Sequence, residues 1–274
     1  MKKTKNFTDI YSYFILGKNI NEKMMKRIFS LLRVDSTFMT TSYNRMNDVN
    51  EILKKKINKY FSKKITICDF AVSSGQSTLE LFSDLNKNKI NKIIGFDKKI
   101  FITFYQIEKF IFLYSSSNEL LMVEYDKQCL RYRYFFLFKK IEKILPRLFN
   151  RVYLFDLINI KYKKSKLLIP NLDNINEIEF FEQDIFNIDK KYFNSFDVVR
   201  VSNLLNYSYF SETKLKKAIS NIKKISKEDS IILINRTPNK KRKNTASFFR
   251  KKNGRFKLIE DINGGSEIKE LMLS

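Results

Sequence analysis

Between Ile65 and Asp97 the chain sets an acid, Asp69, ahead of the small residues Ala71, Ser73, Ser74 and Gly75, and a second acid, Asp97, follows about 20 residues past that turn. Small residues let a backbone turn sharply and approach a ligand closely. A helix opening near Gln76–Ser77 points free N–H groups back at the turn. Nucleotide-binding α/β folds place an acid at the position of Asp97 to receive ribose hydroxyls. The chemistry implied is the binding of a nucleoside cofactor. With no histidine in the chain, histidine bases, His–Cys dyads and most zinc sites are excluded. Cys68 and Cys129 stand far apart without a partner motif, so neither a disulfide scaffold nor a metal cluster is indicated.

Positioning these residues requires a strand, a turn, a helix and a second strand. Ile65, Ile67 and Phe70 give the first strand, with only Thr66 polar before Asp69, and KIIGF gives the second. The stretch Asp69-Phe-Ala71-Val-Ser73-Ser-Gly75 resembles motif I of class I S-adenosylmethionine methyltransferases, D-x-G-x-G-x-G, with Ala71 and Ser73 at two glycine positions. The resemblance implies an α/β, Rossmann-like class I methyltransferase fold. That fold has a mostly parallel seven-stranded sheet, a C-terminal antiparallel hairpin and, here, an inserted cap. It also implies S-adenosyl-L-methionine as cofactor, bound by Asp69, Ala71, Ser73, Gly75 and Asp97.

The other elements follow in chain order. Residues 1–62 read as a helical segment, with Met25, Ile28, Leu31 and Leu32, then Val49, Ile52, Leu53, Ile57 and Phe61, at helical spacing. In the family such a segment covers the cofactor pocket, and from it Arg45 either meets the methionyl carboxylate or stays solvated. Residues 63–274 read as the cofactor-binding domain, interrupted by an insertion at about 100–176. KFIFLYSSSNELLMVEYD reads as two strands around a Ser-Ser-Ser-Asn turn, followed by a basic, aromatic stretch broken at Pro146. The insertion reads either as a lid packing on the domain or as a membrane-surface or substrate-gripping element.

IEFFEQDIF reads as the third strand, and by the resemblance Asp184 and Ile185 fall at the adenine end of the cofactor; a turn cap is the other reading of Asp184. FDVVRVSNLLNYSYF reads as the fourth strand and its exit loop, which brings Asn203 and Leu204 to the cofactor and Asn206 and Tyr207 to the substrate. A helix over SETKLKKAISNIKKI and an apolar fifth strand, SIILINR, come next. GRFKLIEDINGGSEIKELML reads as a closing hairpin joined through Asn263-Gly264-Gly265. The FDVVRVSNLLNYSYF segment is also distantly similar to chemotaxis-receptor (CheR-type) carboxyl methyltransferases, with Asn203 on the family's Asn and Ser202 where it has Arg.

The chain has 274 residues and a formal net charge of +24. Inflated Lys, Asn and Ile follow from an AT-rich coding bias, and the lysines are scattered along the sequence. The expectation is therefore weak contact with acidic partners or membrane surfaces, without a specific nucleic acid. No apolar run approaches the ~20 residues of a membrane span, and the N-terminus lacks a signal-peptide core, so a cytoplasmic protein is expected. The reading is a methyltransferase whose acceptor, a small molecule or a protein carboxyl or hydroxyl, is unidentified. The alternatives are a basic nucleic-acid-binding protein or RNA methyltransferase, and a catalytically silent S-adenosylmethionine-binding fold. Oligomeric state is left open.

Overall fold

The computed structural model describes residues 22–34, 37–38, 42–107, 109–125, 128–129, 160–237 and 243–274. The basic, aromatic stretch from Arg131 lies almost entirely outside them. The chain divides into two units, residues 1–42 with 99–171, and residues 43–98 with 172–274. In the first, a helix over Glu22–Leu31 buries Met25, Ile28 and Phe29. The same unit holds a five-stranded sheet, antiparallel throughout, in the order Gln128–Cys129, Leu120–Tyr125, Phe110–Ser115, Phe101–Ile107, Ile160–Lys166. The strands expected around the serine-rich turn are the central hairpin of this sheet.

The second unit carries the motif residues. Helix α1 (Asn47–Tyr60) buries Val49, Leu53 and Ile57 on one face, four residues apart, and carries Asp48 at its positive end and Lys59 at its negative end. Strand β1 (Ile65–Phe70) is buried from Ile67 onward, as expected of a strand covered on both faces. It leads into α2 (Gln76–Asp84) and β2 (Ile90–Asp97). After the other unit's segment come β3 (Ile178–Glu182), β4 (Phe196–Ser202), α3 (Glu212–Ile225) and β5 (Ser226–Arg236). Leu215, Ala218, Ile219, Ile222 and Ile225 of α3 join the core formed with Phe70, Phe96, Val199, Val201 and Ile232.

The sheet has the order β3-β2-β1-β4-β5 followed by β6 (Thr245–Lys252) and β7 (Arg255–Ile262). Its first five strands are parallel and the last two antiparallel to their neighbours. It is a mostly parallel α/β sheet. Successive strands step one way from β1 to β3 and the other way from β4 onward, so the winding reverses between β1 and β4. In open α/β sheets ligands sit outside the carboxyl ends of the strands at that reversal. Gly95 on β2 fits the sheet because a Cβ there would come within 2.5 Å of the Phe180 ring and 3.0 Å of Val72.

The closing hairpin corrects the sequence reading. It joins β6 to β7 through Asn253 and Gly254, with φ of 53° and 69°. Two left-handed residues in a two-residue loop match the right-handed twist of the flanking strands. Asn263-Gly264-Gly265 instead leads β7 into the short helix α4 (Lys269–Leu273). β6 escaped notice because Phe248 and Phe249 are adjacent and both fully buried, with a register shift between them. A bulge of this kind removes the alternation by which a strand is recognised.

Candidate cofactor site at the carboxyl edge of the sheet

The turn after β1 has an alternating backbone. Ala71, Ser73 and Gly75 have φ of 61°, 53° and 77°. These are the three glycine positions of the motif, and all are left-handed. For the two residues with a Cβ this conformation costs roughly 1–2 kcal/mol each. The turn is held by its neighbours: the Ala71 N–H donates to the Phe96 carbonyl at 2.9 Å, the Gly75 N–H to Val72 at 2.8 Å, and the Ser73 N–H to Asp97 Oδ2 at 2.8 Å. The other Asp97 oxygen accepts from the Lys98 N–H at 2.8 Å. Asp97 thus lies beside the turn, at the end of the neighbouring strand, with one carboxylate oxygen fastened to it.

Asp69 has a different occupation. It is buried and takes a two-pronged ion pair from Arg200 of β4, Nε to Oδ1 at 2.8 Å and Nη2 to Oδ2 at 2.5 Å. The Thr78 hydroxyl donates to the same Oδ2 at 2.6 Å. Arg200 also donates to the Ser77 carbonyl at 2.9 Å and to Asn50 Oδ1 at 3.0 Å, and Asn50 donates in turn to Asp84. Planar guanidinium geometry suits this many fixed acceptors. The network ties β1, β4, α1 and α2 together under the turn and leaves the Asp69 carboxylate engaged within the protein.

The other residues singled out in the sequence sit at the same edge. The turn 43–46 runs against α2: the Asn44 N–H donates to Glu80 Oε1 at 2.8 Å, and Gln76 donates to the same oxygen. Burial pulls the Arg45 guanidinium below its ordinary value; Glu80 opposes that shift and Arg200 adds to it. Asp184 caps a tight turn, accepting from the Phe186 N–H at 2.9 Å. Ile185 is buried in the core, and its carbonyl accepts from Asn221. Asn203 is left-handed at φ 57°, and its Oδ1 accepts from the Thr237 N–H at 2.6 Å. Leu204 packs against the core, and Asn206 is 1% exposed. Tyr207 is half exposed, and its N–H donates to Glu267 at 3.0 Å.

Five buried polar atoms here have no hydrogen-bond partner among the described residues: Arg45 Nε, Ser73 Oγ, Glu80 Oε2, Asn203 Nδ2 and Asn206 Oδ1. Buried polar atoms in folded proteins are almost always paired, so each such atom calls for a ligand or an ordered water. Three donors and two acceptors at the ends of β1 and β4, on α2 and on the turn 43–46 suit a polar, charged small molecule. Beside them a cavity of about 490 Å³ is lined by Leu205, Asn235, Arg236, Thr245, Gly265 and Glu267, among others. Arg236 and Glu267 pair across 3.0 Å within it. Among the described residues no group of three or more His, Cys, Asp and Glu is placed to hold a metal. Burial pushes the Cys68 thiol well above its usual range, which removes it as a nucleophile.

Sequence reasoning missed Arg200 and Glu267. Arg200 stood inside an apolar strand pattern opposite an acid; its pairing with Asp69 follows from the β1–β4 register, in which the two residues are partners. Glu267 carried no sequence signal, since its role depends on where α4 begins.

No family model and no curated protein matches the sequence. Solved structures do. The CurJ carbon methyltransferase aligns over 70% of this chain and 35% of its own length, at 14% identity and a TM-score of 0.37. A protein of Methanococcus maripaludis described as an S-adenosyl-L-methionine-dependent methyltransferase aligns over 80% of this chain and 65% of its own, at 14% identity and a TM-score of 0.36. The [4+2]-cyclase SpnF aligns over 68% and 44%, at 12% identity and a TM-score of 0.31. The chain thus spans between a third and two thirds of the length of these three proteins. Likeness this loose carries no argument about activity, and the α/β assignment rests on the strand order itself. Among the described residues no helix is long and apolar enough to cross a membrane.

Proposed function

We propose that this chain is an S-adenosylmethionine-dependent methyltransferase acting on a small molecule or on a protein carboxyl or hydroxyl group. The observation that carries the reading is the turn after β1, where the three motif glycine positions are all left-handed although two of them hold Ala71 and Ser73. A backbone that keeps this shape at an energetic cost keeps it for a purpose, and strained turns cluster at ligand sites. The location at the winding reversal, with Asp97 at the end of the next strand, supports the same conclusion.

The residues present fit the cofactor. Asp97 would hold its ribose hydroxyls while keeping the turn in place through the Ser73 N–H. Arg45, with a buried unpaired Nε, would hold the methionyl carboxylate, and Ser73 Oγ and Asn203 Nδ2 would complete the polar contacts. When bound, the cofactor supplies a methyl group activated on a sulfonium. The chain's contribution is alignment of the acceptor with the methyl–sulfur bond, for which holding the two in one place provides much of the rate. Asn206 and Tyr207, which directly follow the cavity-lining Leu205 in the chain, are the acceptor-positioning residues of this reading. The similarity to chemotaxis-receptor enzymes is not extended to a glutamate acceptor.

A second reading, a fold that binds the cofactor without turnover, is favoured by the Cβ atoms of Ala71 and Ser73, which narrow the approach to the turn. Incubation with methyl-labelled S-adenosylmethionine and size-separated cell extract distinguishes the two. Label transferred to a small-molecule or protein fraction supports the enzyme; cofactor bound with no label transferred to any fraction supports the silent fold.

A further inference from the structure

We infer that the amino edge of the seven-stranded sheet, opposite the cofactor turn, is a docking surface for single-stranded nucleic acid. The lysines are scattered in sequence but gather in space. Lys63 and Lys64 precede β1, Lys190 precedes β4, Lys224 ends α3 just before β5, and Arg255 starts β7; all five are exposed. Contacts show that these positions are neighbours. The Asn194 N–H donates to the Lys224 carbonyl at 2.9 Å, and Asp197 of β4 accepts from both the Thr66 N–H at 2.8 Å and Lys227 at 3.0 Å. The Arg250 guanidinium lies 4.5 Å over the Tyr60 ring, which brings the end of β6 to the end of α1. With strands about 4.8 Å apart, the stripe from β1 to β7 is about 19 Å wide.

Most acids of this edge are already engaged, Glu177 before β3 being the exception. Asp197 is taken by Lys227, Asp229 by Arg250 and Lys252, and Asp189 by Lys191, while Glu228 accepts from the Asn253 and Gly254 N–H groups of the hairpin turn. Lys63, Lys64, Lys190 and Arg255 have no carboxylate partner among the described residues. Toward the carboxyl edge the cations Arg45 and Arg236 stand among Asp48, Glu80, Asp97, Asp184, Asp261 and Glu267. Helix ends account for part of the pattern, since Lys223 and Lys224 complement the negative terminus of α3. They do not account for Lys63, Lys64 or Arg255, which lie outside any helix.

Aromatic rings between the cations set the class of polyanion. Phe193 is 38% exposed with the Lys224 ammonium 5.9 Å from its ring centre, and Tyr60 lies between Lys59 and Arg250. A basic groove with an exposed ring on which a base can stack is the arrangement that binds single strands without sequence preference. An anionic bilayer would favour several apolar side chains projecting together, whereas Phe193 is the exposed large apolar residue of this stripe.

The test is fluorescence anisotropy of the whole chain with a labelled twelve-nucleotide oligouridylate, against phosphatidylserine–phosphatidylcholine vesicles, across a salt series. The parent is expected to bind the oligonucleotide with strong salt dependence. Lys63→Glu/Lys64→Glu/Lys190→Glu should weaken it at least about tenfold and reduce the salt slope by about two, at roughly 0.7 per phosphate contact. Phe193→Ala should weaken it about fivefold or more. Lys54→Glu/Lys214→Glu/Lys217→Glu, an equal charge change elsewhere, should stay within about twofold, and thermal melts of all variants establish that they are folded. Equal weakening by both triple variants, absence of oligonucleotide binding, or binding to vesicles alone would overturn the proposal.

Discussion

Ala71 and Ser73 hold backbone angles that glycine reaches without a Cβ clash. Replacing each by glycine removes about 1–2 kcal/mol of left-handed strain and adds about 0.5–1 kcal/mol of chain entropy, so each should stabilise the fold by roughly 0.5–1 kcal/mol. Urea denaturation of Ala71→Gly and Ser73→Gly checks this; a loss of stability in both would contradict the strained turn. Arg200 makes the opposite prediction. Arg200→Met leaves Asp69 buried without its cation and should cost about 3–5 kcal/mol, while adding Asp69→Leu should recover most of the loss. If the double variant is no more stable than the single one, the ion pair is not the origin of the cost. At this scale the sequence was partly legible. Asp69, Asp97 and the small residues between them were visible as a site, but the removal of Asp69 into a structural network was not, because it depends on a partner 131 positions away.

The elements were more legible where apolar spacing was regular and less so where geometry broke it. α1, α3 and the parallel strands show in Val49, Leu53 and Ile57 or in Val198, Val199 and Val201, because burial on one face or both leaves a period in the sequence. The hairpin did not, since its bulge buries Phe248 and Phe249 together, and two glycine-containing turns compete for the role of loop. The two glycine turns should therefore respond differently to substitution. At Gly265 a Cβ would meet Asp261 Oδ1 at 2.6 Å and Ser247 Oγ at 2.9 Å, besides the unfavourable φ, whereas at Gly254 it meets nothing within 4 Å. Gly254→Ala should cost about 1 kcal/mol, and Gly265→Ala should cost at least ~1 kcal/mol more, since it also disturbs a partly buried hydrogen bond between Ser247 and Asp261. Thermal melts of the pair read the difference; equal losses would mean that the loop 263–265 tolerates a side chain by moving.

Across the seven-stranded unit the two edges of the sheet divide the chemistry. The carboxyl edge carries the strained turn, the unpaired polar atoms and the cavity, and the amino edge carries the excess positive charge. That division was invisible in the sequence, where lysine is everywhere, and follows from which residues precede each parallel strand. It also separates two outcomes: charge reversal at Lys63, Lys64 and Lys190 should leave cofactor binding unchanged. The central claim is that the carboxyl edge binds a methyl-donor nucleoside through the turn and Asp97. It is tested most directly by calorimetric titration of S-adenosylhomocysteine into the parent, Asp97→Asn and Asp97→Ala. Micromolar binding by the parent is predicted, weakened about tenfold or more in Asp97→Ala, with Asp97→Asn in between because its amide oxygen still accepts from the Ser73 N–H. No binding by the folded parent, or equal binding by all three, would contradict it.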